Sequence, residues 1–118
     1  LGFLIRRTNA FPVKRGMQDM KAFRNAFFLL ENKKALLMFP EGTRSKDSRL
    51  GKARAGVGMV ACNAQVPVVP VKIINTDKMK KFKKIEIIYG KPIMPPEEYT
   101  KDDYILLSQR VISEIEKL

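Results

Sequence analysis

Apolar and polar residues alternate along the chain with two different periods, and each period predicts its own kind of element. Spacings of three and four residues begin after Asp19, a favourable helix N-cap, and predict a helix whose apolar face packs on a core. That face consists of Met20, Phe23, Phe27 and Leu30. A short apolar run at residues 35–39 follows and predicts a buried strand. The strand should stop at Pro40, which cannot donate to a β-ladder.

Another short apolar stretch precedes this helix. It covers residues 9–13 and continues into a basic turn at residues 14–16, which predicts a second strand. Two short strands separated by one helix are typical of a βαβ unit, so we expect these strands to be parallel and joined by a right-handed crossover.

The second half of the chain continues the alternation of helices and strands. Small residues form one face of a predicted helix at residues 53–64, where Gly56 and Gly58 permit close packing on a sheet. Residues 66–74 predict a strand whose two prolines imply an edge, a bulge or a strand start. Residues 85–89 predict a further strand.

The last predicted helix begins at about Thr100 and carries acidic residues in its first turn. Its expected buried stripe consists of Tyr104, Leu107, Val111, Ile115 and Leu118. We therefore expect an α/β fold in which a mixed, partly parallel sheet is flanked by helices. A chain of 118 residues has room for one domain at most.

Charge and composition narrow the range of functions. The formal net charge of +11 favours polyanionic partners, namely nucleic acid, anionic lipid headgroups or phosphorylated substrates. The sequence has no histidine, so neither histidine-based catalysis nor a histidine metal site is available within it. The single cysteine, Cys62, excludes an internal disulfide, offers no metal framework and is expected to be a small buried residue. No apolar run reaches the roughly 18 residues that a membrane-spanning helix needs.

The seven residues Phe39-Pro40-Glu41-Gly42-Thr43-Arg44-Ser45 concentrate the candidate chemistry. Proline in the second position and glycine in the fourth suit a type I turn. The planar guanidinium of Arg44 fits a phosphate or carboxylate, the hydroxyls of Thr43 and Ser45 can donate to an anion, and Gly42 permits close approach of the backbone. Glu41 cannot bind an anion, but it can orient Arg44 or accept from a substrate hydroxyl. The same residues also suit an ordinary solvated turn.

This stretch resembles the third sequence block of the glycerolipid acyltransferases, the lysophosphatidic acid acyltransferase family. Arg15 matches the arginine of the second block, which in the family helps to hold the glycerol phosphate. Val66-Pro67-Val68-Val69-Pro70 is similar to the fourth block, which is associated with the acyl-chain side of the site. The resemblance extends over residues 1–93. It implies that Arg15, Glu41, Gly42, Thr43 and Arg44 form the substrate phosphate-binding site, in which Glu41 would act through Arg44 or a substrate hydroxyl.

The resemblance also implies a reaction. Family members transfer a fatty acyl group from acyl-CoA or acyl carrier protein to the sn-2 hydroxyl of 1-acyl-sn-glycerol 3-phosphate, which gives phosphatidic acid for phospholipid synthesis. Their general base is a histidine of an H-x-x-x-x-D block that precedes the second block, and here that block would lie upstream of Leu1. We therefore expect residues 1–118 to be the C-terminal part of an acyltransferase domain, inactive alone and without a cofactor or metal. The expected location is the cytoplasmic side of a membrane, either peripheral or anchored through a missing N-terminal segment.

Two other functions fit the charge. One is a basic nucleic-acid-binding module, although the aromatic residues mostly fall on apolar stripes rather than on a stacking platform. The other is a non-catalytic lipid-binding or scaffold protein that has kept the acyltransferase fold and lost the catalytic base. The lysine-rich segment at residues 75–84 is either a solvated face or a membrane contact in which Met79 and Phe82 enter the lipid interface.

Overall fold

The computed structural model describes residues 10, 11, 13, 19–42, 51–76 and 84–118. Within these ranges the elements are three helices and two strands, namely α1 (Met20–Glu31), α2 (Gly56–Ala64), β1 (Val71–Ile74), β2 (Glu86–Tyr89) and α3 (Lys101–Lys117). The chain divides after Leu36 into two compact units. Helix α1 belongs to the first unit, and the other four elements belong to the second.

Helix α1 begins where the sequence predicts. The carboxylate of Asp19 accepts a hydrogen bond from the Ala22 N–H at 3.2 Å, which confirms the predicted N-cap. The predicted apolar face is confirmed for Phe23, Phe27 and Leu30, which are half-buried beside the buried Ala22 and Ala26. Met20 is 57 % exposed. It is the first residue of the helix, where the apolar face ends, so the prediction that it packs with this face is wrong.

The C-terminus of α1 is a Schellman motif built without glycine. Lys34 donates to the Leu29 carbonyl at 2.9 Å, and Lys33 donates to the Leu30 carbonyl at 3.0 Å. Lys33 lies in the left-handed region with φ 57°. A residue with a Cβ is strained in that region, so Lys33 slightly destabilises the folded state.

The core of the second unit lies between α2 and α3. It is formed by Val57, Ala61, Cys62, Ile93, Leu107, Val111 and Ile115. Burial of Cys62 and of the predicted α3 stripe is therefore confirmed, with Tyr104 and Leu118 half-buried at the ends of the stripe.

Helices α2 and α3 are in close contact at Gly58. The Gly58 N–H donates to the buried Ser108 hydroxyl at 2.9 Å. A Cβ on Gly58 would lie only 1.9 Å from the Tyr104 carbonyl oxygen. The glycine is thus required for close packing, but the packing is against α3 and not, as predicted, against a sheet.

The sheet is an antiparallel pair, in which Val71 lies opposite Tyr89 and Ile74 lies opposite Glu86. Beyond the ladder, Val68 forms an isolated bridge with Ile93. Two residues separate ladder and bridge on the first strand and three on the second, so this pair contains a bulge. The strand β1 starts directly after Pro70, which agrees with the predicted effect of the prolines. The two described strands are therefore not parallel. The strand predicted at residues 9–16, expected to be parallel to the one at residues 35–39, lies mostly outside the described residues.

The prediction of a buried strand at residues 35–39 is wrong. The segment forms no ladder with either described strand, and Leu37 and Phe39 are 73 % and 66 % exposed. Only the alternate residue Met38 packs against the core. An apolar run becomes a buried strand only when both of its faces are covered and its backbone is paired, and here one face packs on the core while the other remains open.

Candidate functional site

A tight turn at Phe39–Gly42 follows the segment at residues 35–39. The Gly42 N–H donates to the Phe39 carbonyl at 3.0 Å, which closes the predicted four-residue turn with Pro40 in its second position. Gly42 has φ +65°, a conformation that side chains disfavour. The turn therefore needs its glycine for conformation.

Two hydrogen bonds join this turn to the segment that leads into α2. The Glu41 Oε2 atom accepts from the Gly51 N–H at 2.6 Å. The Arg54 N–H donates to the Pro40 carbonyl at 2.8 Å. The chain on either side of residues 43–50 is thus held together by one side-chain bond and one backbone bond.

Arg54 brings a guanidinium to the turn. A Cβ on Gly42 would lie 2.7 Å from Arg54 Cδ and 3.2 Å from Arg54 Nε, so the arginine side chain runs directly across the glycine. No described carboxylate forms an ion pair with Arg54. The sequence gives Arg54 only as one of several cations after the motif, because a contact across eleven intervening residues leaves no periodic signal.

The structure describes part of the predicted phosphate-binding group. Glu41 and Gly42 lie on the turn, whereas Arg15, Thr43 and Arg44 lie outside the described residues. Their convergence on one anion remains a prediction from the sequence.

The predicted acyl-side segment is extended and has two different sides. Pro70 is fully buried, and Val66 and Val68 are half-buried, with Val68 packed against the core. Pro67 and Val69 are exposed. The segment is therefore part of the core on one side and accessible on the other, and its contact with an acyl chain remains a prediction.

A shallow cavity of about 480 Å³ lies beside the connection between the turn and α2. It is lined by Gly51, Lys52, Ala53, Gln109 and Ile112. It shares Gly51 with the hydrogen bond to Glu41, so it adjoins the turn.

The titratable groups near the helices indicate structure rather than catalysis. Burial, and secondarily the negative charge of Asp103, raises the pKa of the Cys62 thiol, which disfavours a nucleophilic thiolate. Hydrogen bonds from the Thr100 backbone N–H and hydroxyl lower the pKa of Asp103. Among residues 19–42, 51–76 and 84–118, histidine, cysteine and acidic side chains form no group that could hold a metal ion. The described helices include none that is long and apolar enough to cross a membrane.

Comparison with known proteins agrees with the motif. The family model described as Acyltransferase matches residues 1–74. A chloroplastic 1-acyl-sn-glycerol-3-phosphate acyltransferase of Brassica napus is 32 % identical over 67 % of this chain and 24 % of its own length. A chloroplastic enzyme of the same name from Arabidopsis thaliana is 33 % identical over 67 % of this chain and 23 % of its own length.

A probable 1-acyl-sn-glycerol-3-phosphate acyltransferase of Mycoplasma pneumoniae is 35 % identical over 52 % of this chain and 28 % of its own length. The chain thus spans about a quarter of the length of these relatives. No solved structure matches it significantly. On the family match and these relatives, the chain belongs to the acyltransferase family that includes the 1-acyl-sn-glycerol-3-phosphate acyltransferases.

Proposed function

We propose that this chain binds the phosphate of a lysophospholipid acceptor as part of a 1-acyl-sn-glycerol-3-phosphate acyltransferase. The observation that carries the proposal is the Phe39–Gly42 turn, which has the predicted closure and stands immediately before Thr43 and Arg44. The names of the relatives supply the substrate class. Arg15, Thr43, Arg44 and the backbone at Gly42 would hold the phosphate, because bidentate guanidinium contacts and short donors suit its oxygens.

The reaction proposed for the whole enzyme moves the acyl group of acyl-CoA or acyl carrier protein to the sn-2 hydroxyl of the acceptor. The thioester bond breaks, an ester bond forms, and the products are phosphatidic acid and the free thiol of the carrier. A general base must take the hydroxyl proton, and this sequence contains no histidine to do so. We therefore expect residues 1–118 alone to bind the acceptor without transferring the acyl group. The side of Val66–Pro70 that carries Val69 would face the acyl chain.

The proposed location is the cytoplasmic surface of a membrane, where the acceptor lipid is found. A net charge of +11 attracts anionic headgroups. The same charge would also attract nucleic acid, so the binding test has to separate phosphate recognition from general cation–polyanion attraction.

Binding of a short-chain lysophosphatidate below its micelle concentration tests the proposal. Isothermal titration calorimetry should give an affinity at least ~10-fold higher than for the monoacylglycerol with the same acyl chain, since loss of charged hydrogen bonds to the phosphate costs about 1.5–3 kcal/mol. Equal affinity for the two lipids would contradict the proposal. Preference for single-stranded RNA, with affinity that falls steeply with salt, would instead support a nucleic-acid-binding module.

A further inference from the structure

Glu41 lies in the part of the motif that the structure describes, and its carboxylate is already engaged. Its Oε2 atom accepts from the Gly51 N–H at 2.6 Å, a short bond between a backbone donor and a side-chain oxygen. A Cβ on Gly51 would lie 3.0 Å from the same oxygen, so a side chain at this position would make the carboxylate shift by a few tenths of an ångström. The bond is therefore sensitive to substitution at either partner.

The sequence leaves two roles open for Glu41, namely orientation of Arg44 and acceptance of a hydrogen bond from a substrate hydroxyl. The observed contact supplies a third role. In the described part of the chain, Glu41 forms no ion pair with a lysine or arginine. The oxygen is used by the backbone on the far side of residues 43–50.

The bond between Glu41 and Gly51 joins the two ends of the segment at residues 43–50. Gly42 and Gly51 are the two neighbours of residues 43–50, and the bond between Pro40 and Arg54 lies just outside them. Thr43 and Arg44, the proposed phosphate ligands, directly follow Gly42. Fixing both flanks reduces the conformational entropy that the ligand-bearing segment loses on binding.

We infer that Glu41 is a positioning residue, whose carboxylate holds Gly51 and so fixes the flanks of the phosphate-binding segment without contacting the substrate. This inference rests on the proposed function. It predicts that Glu41 needs an acceptor oxygen of the right reach and not a negative charge.

The test compares Glu41→Gln with Glu41→Ala in the 118-residue chain. Glutamine keeps an oxygen at the same distance from the backbone, so lysophosphatidate affinity should stay within about threefold of the parent. Alanine removes the acceptor and should weaken binding by about 5- to 10-fold, as expected for one lost hydrogen bond that pre-organises a site. Gly51→Ala keeps the donor but crowds the oxygen, and it should lower the affinity in the same direction. Because both changes break one bond, the double variant Glu41→Ala/Gly51→Ala should be no weaker than Glu41→Ala alone.

The Gly51 amide resonance in a heteronuclear NMR spectrum reports the bond without any ligand. It should move in Glu41→Ala and stay close to its parental position in Glu41→Gln. Far-UV circular dichroism of each variant establishes that a loss of affinity is not a loss of fold.

Three outcomes would count against the inference. Equal loss of affinity in Glu41→Gln and Glu41→Ala would show that the charge itself acts on the substrate or on Arg44. A Gly51 resonance that ignores Glu41→Ala would refute the positioning role alone. A parent chain that binds no lysophosphatidate, while its Gly51 resonance responds to Glu41→Ala, would refute the proposed function, and the positioning role would fall with it.

Discussion

Replacing Gly58 by alanine places a methyl group where α3 already lies. The new Cβ would be 1.9 Å from the Tyr104 carbonyl oxygen, whereas such contacts become ordinary only at 3.4 Å. The obstacle is backbone and cannot rotate away. Helices α2 and α3 must therefore separate by about 1.5 Å at this point, which also stretches the 2.9 Å bond from the Gly58 N–H to Ser108.

The magnitude follows from three opposing effects. Overpacking of this kind costs about 1–3 kcal/mol. Weakening the hydrogen bond to a buried N–H adds about 1 kcal/mol or more. Alanine regains about 1 kcal/mol of helix propensity relative to glycine. We expect a net loss of about 1–3 kcal/mol in the free energy of unfolding.

Urea unfolding measures this loss, and Gly56→Ala supplies the matched control. The chain contains no tryptophan, so far-UV circular dichroism is the appropriate probe. A Cβ on Gly56 would meet only Met38 Cε at 3.9 Å, so the same substitution two residues earlier should be neutral or stabilising by up to about 1 kcal/mol. A Gly58→Ala variant as stable as Gly56→Ala would refute the close helix crossing.

Three further predictions concern other parts of the chain. Lys33→Gly should raise the free energy of unfolding by about 0.5–1 kcal/mol, because glycine accepts the left-handed conformation at φ 57°, and Lys34→Gly should not. The hydrogen bonds from Thr100 lower the pKa of Asp103 and stabilise the start of α3 above about pH 4. This stabilisation should be lost as the pH falls through the lowered pKa. The thermal stability of Asp103→Asn should therefore lack this part of the pH dependence. Arg54→Ala should weaken lysophosphatidate binding more than Lys91→Ala does in calorimetry, because Arg54 crosses Gly42 at the proposed site whereas Lys91 is an exposed cation elsewhere.

Local signals in the sequence predict the helices well. Asp19 and the three- to four-residue spacing place α1, and the stripe from Leu107 to Ile115 places α3, because caps and periodicity act within a few residues. The break before β1 also follows locally, since Pro70 cannot donate to a ladder.

Contacts between distant residues are not encoded in such patterns. The open face of residues 35–39 depends on what lies beside them, which no local pattern shows. The packing of Gly58 against α3 instead of a sheet likewise depends on a tertiary contact, because its partner Ser108 lies fifty residues later in the chain.

The candidate site shows the same division. The turn at Phe39–Gly42 is predicted by its proline and glycine, and the structure confirms its closure. The use of Glu41 by the Gly51 backbone and the course of Arg54 across Gly42 depend on how the chain returns after residue 50, so they emerge only from the structure.

The central claim is that Arg15 and Arg44 bind the acceptor phosphate. Its most direct test is the dissociation constant of the 118-residue chain for short-chain lysophosphatidate, measured for Arg15→Ala, Arg44→Ala and the exposed helix-surface control Arg24→Ala. We predict that Arg15→Ala and Arg44→Ala each weaken binding by about 10- to 100-fold, the effect of a lost charged hydrogen-bond pair, and that Arg24→Ala changes it by less than about threefold. Affinities that fall equally in all three variants, or in none, would contradict the claim.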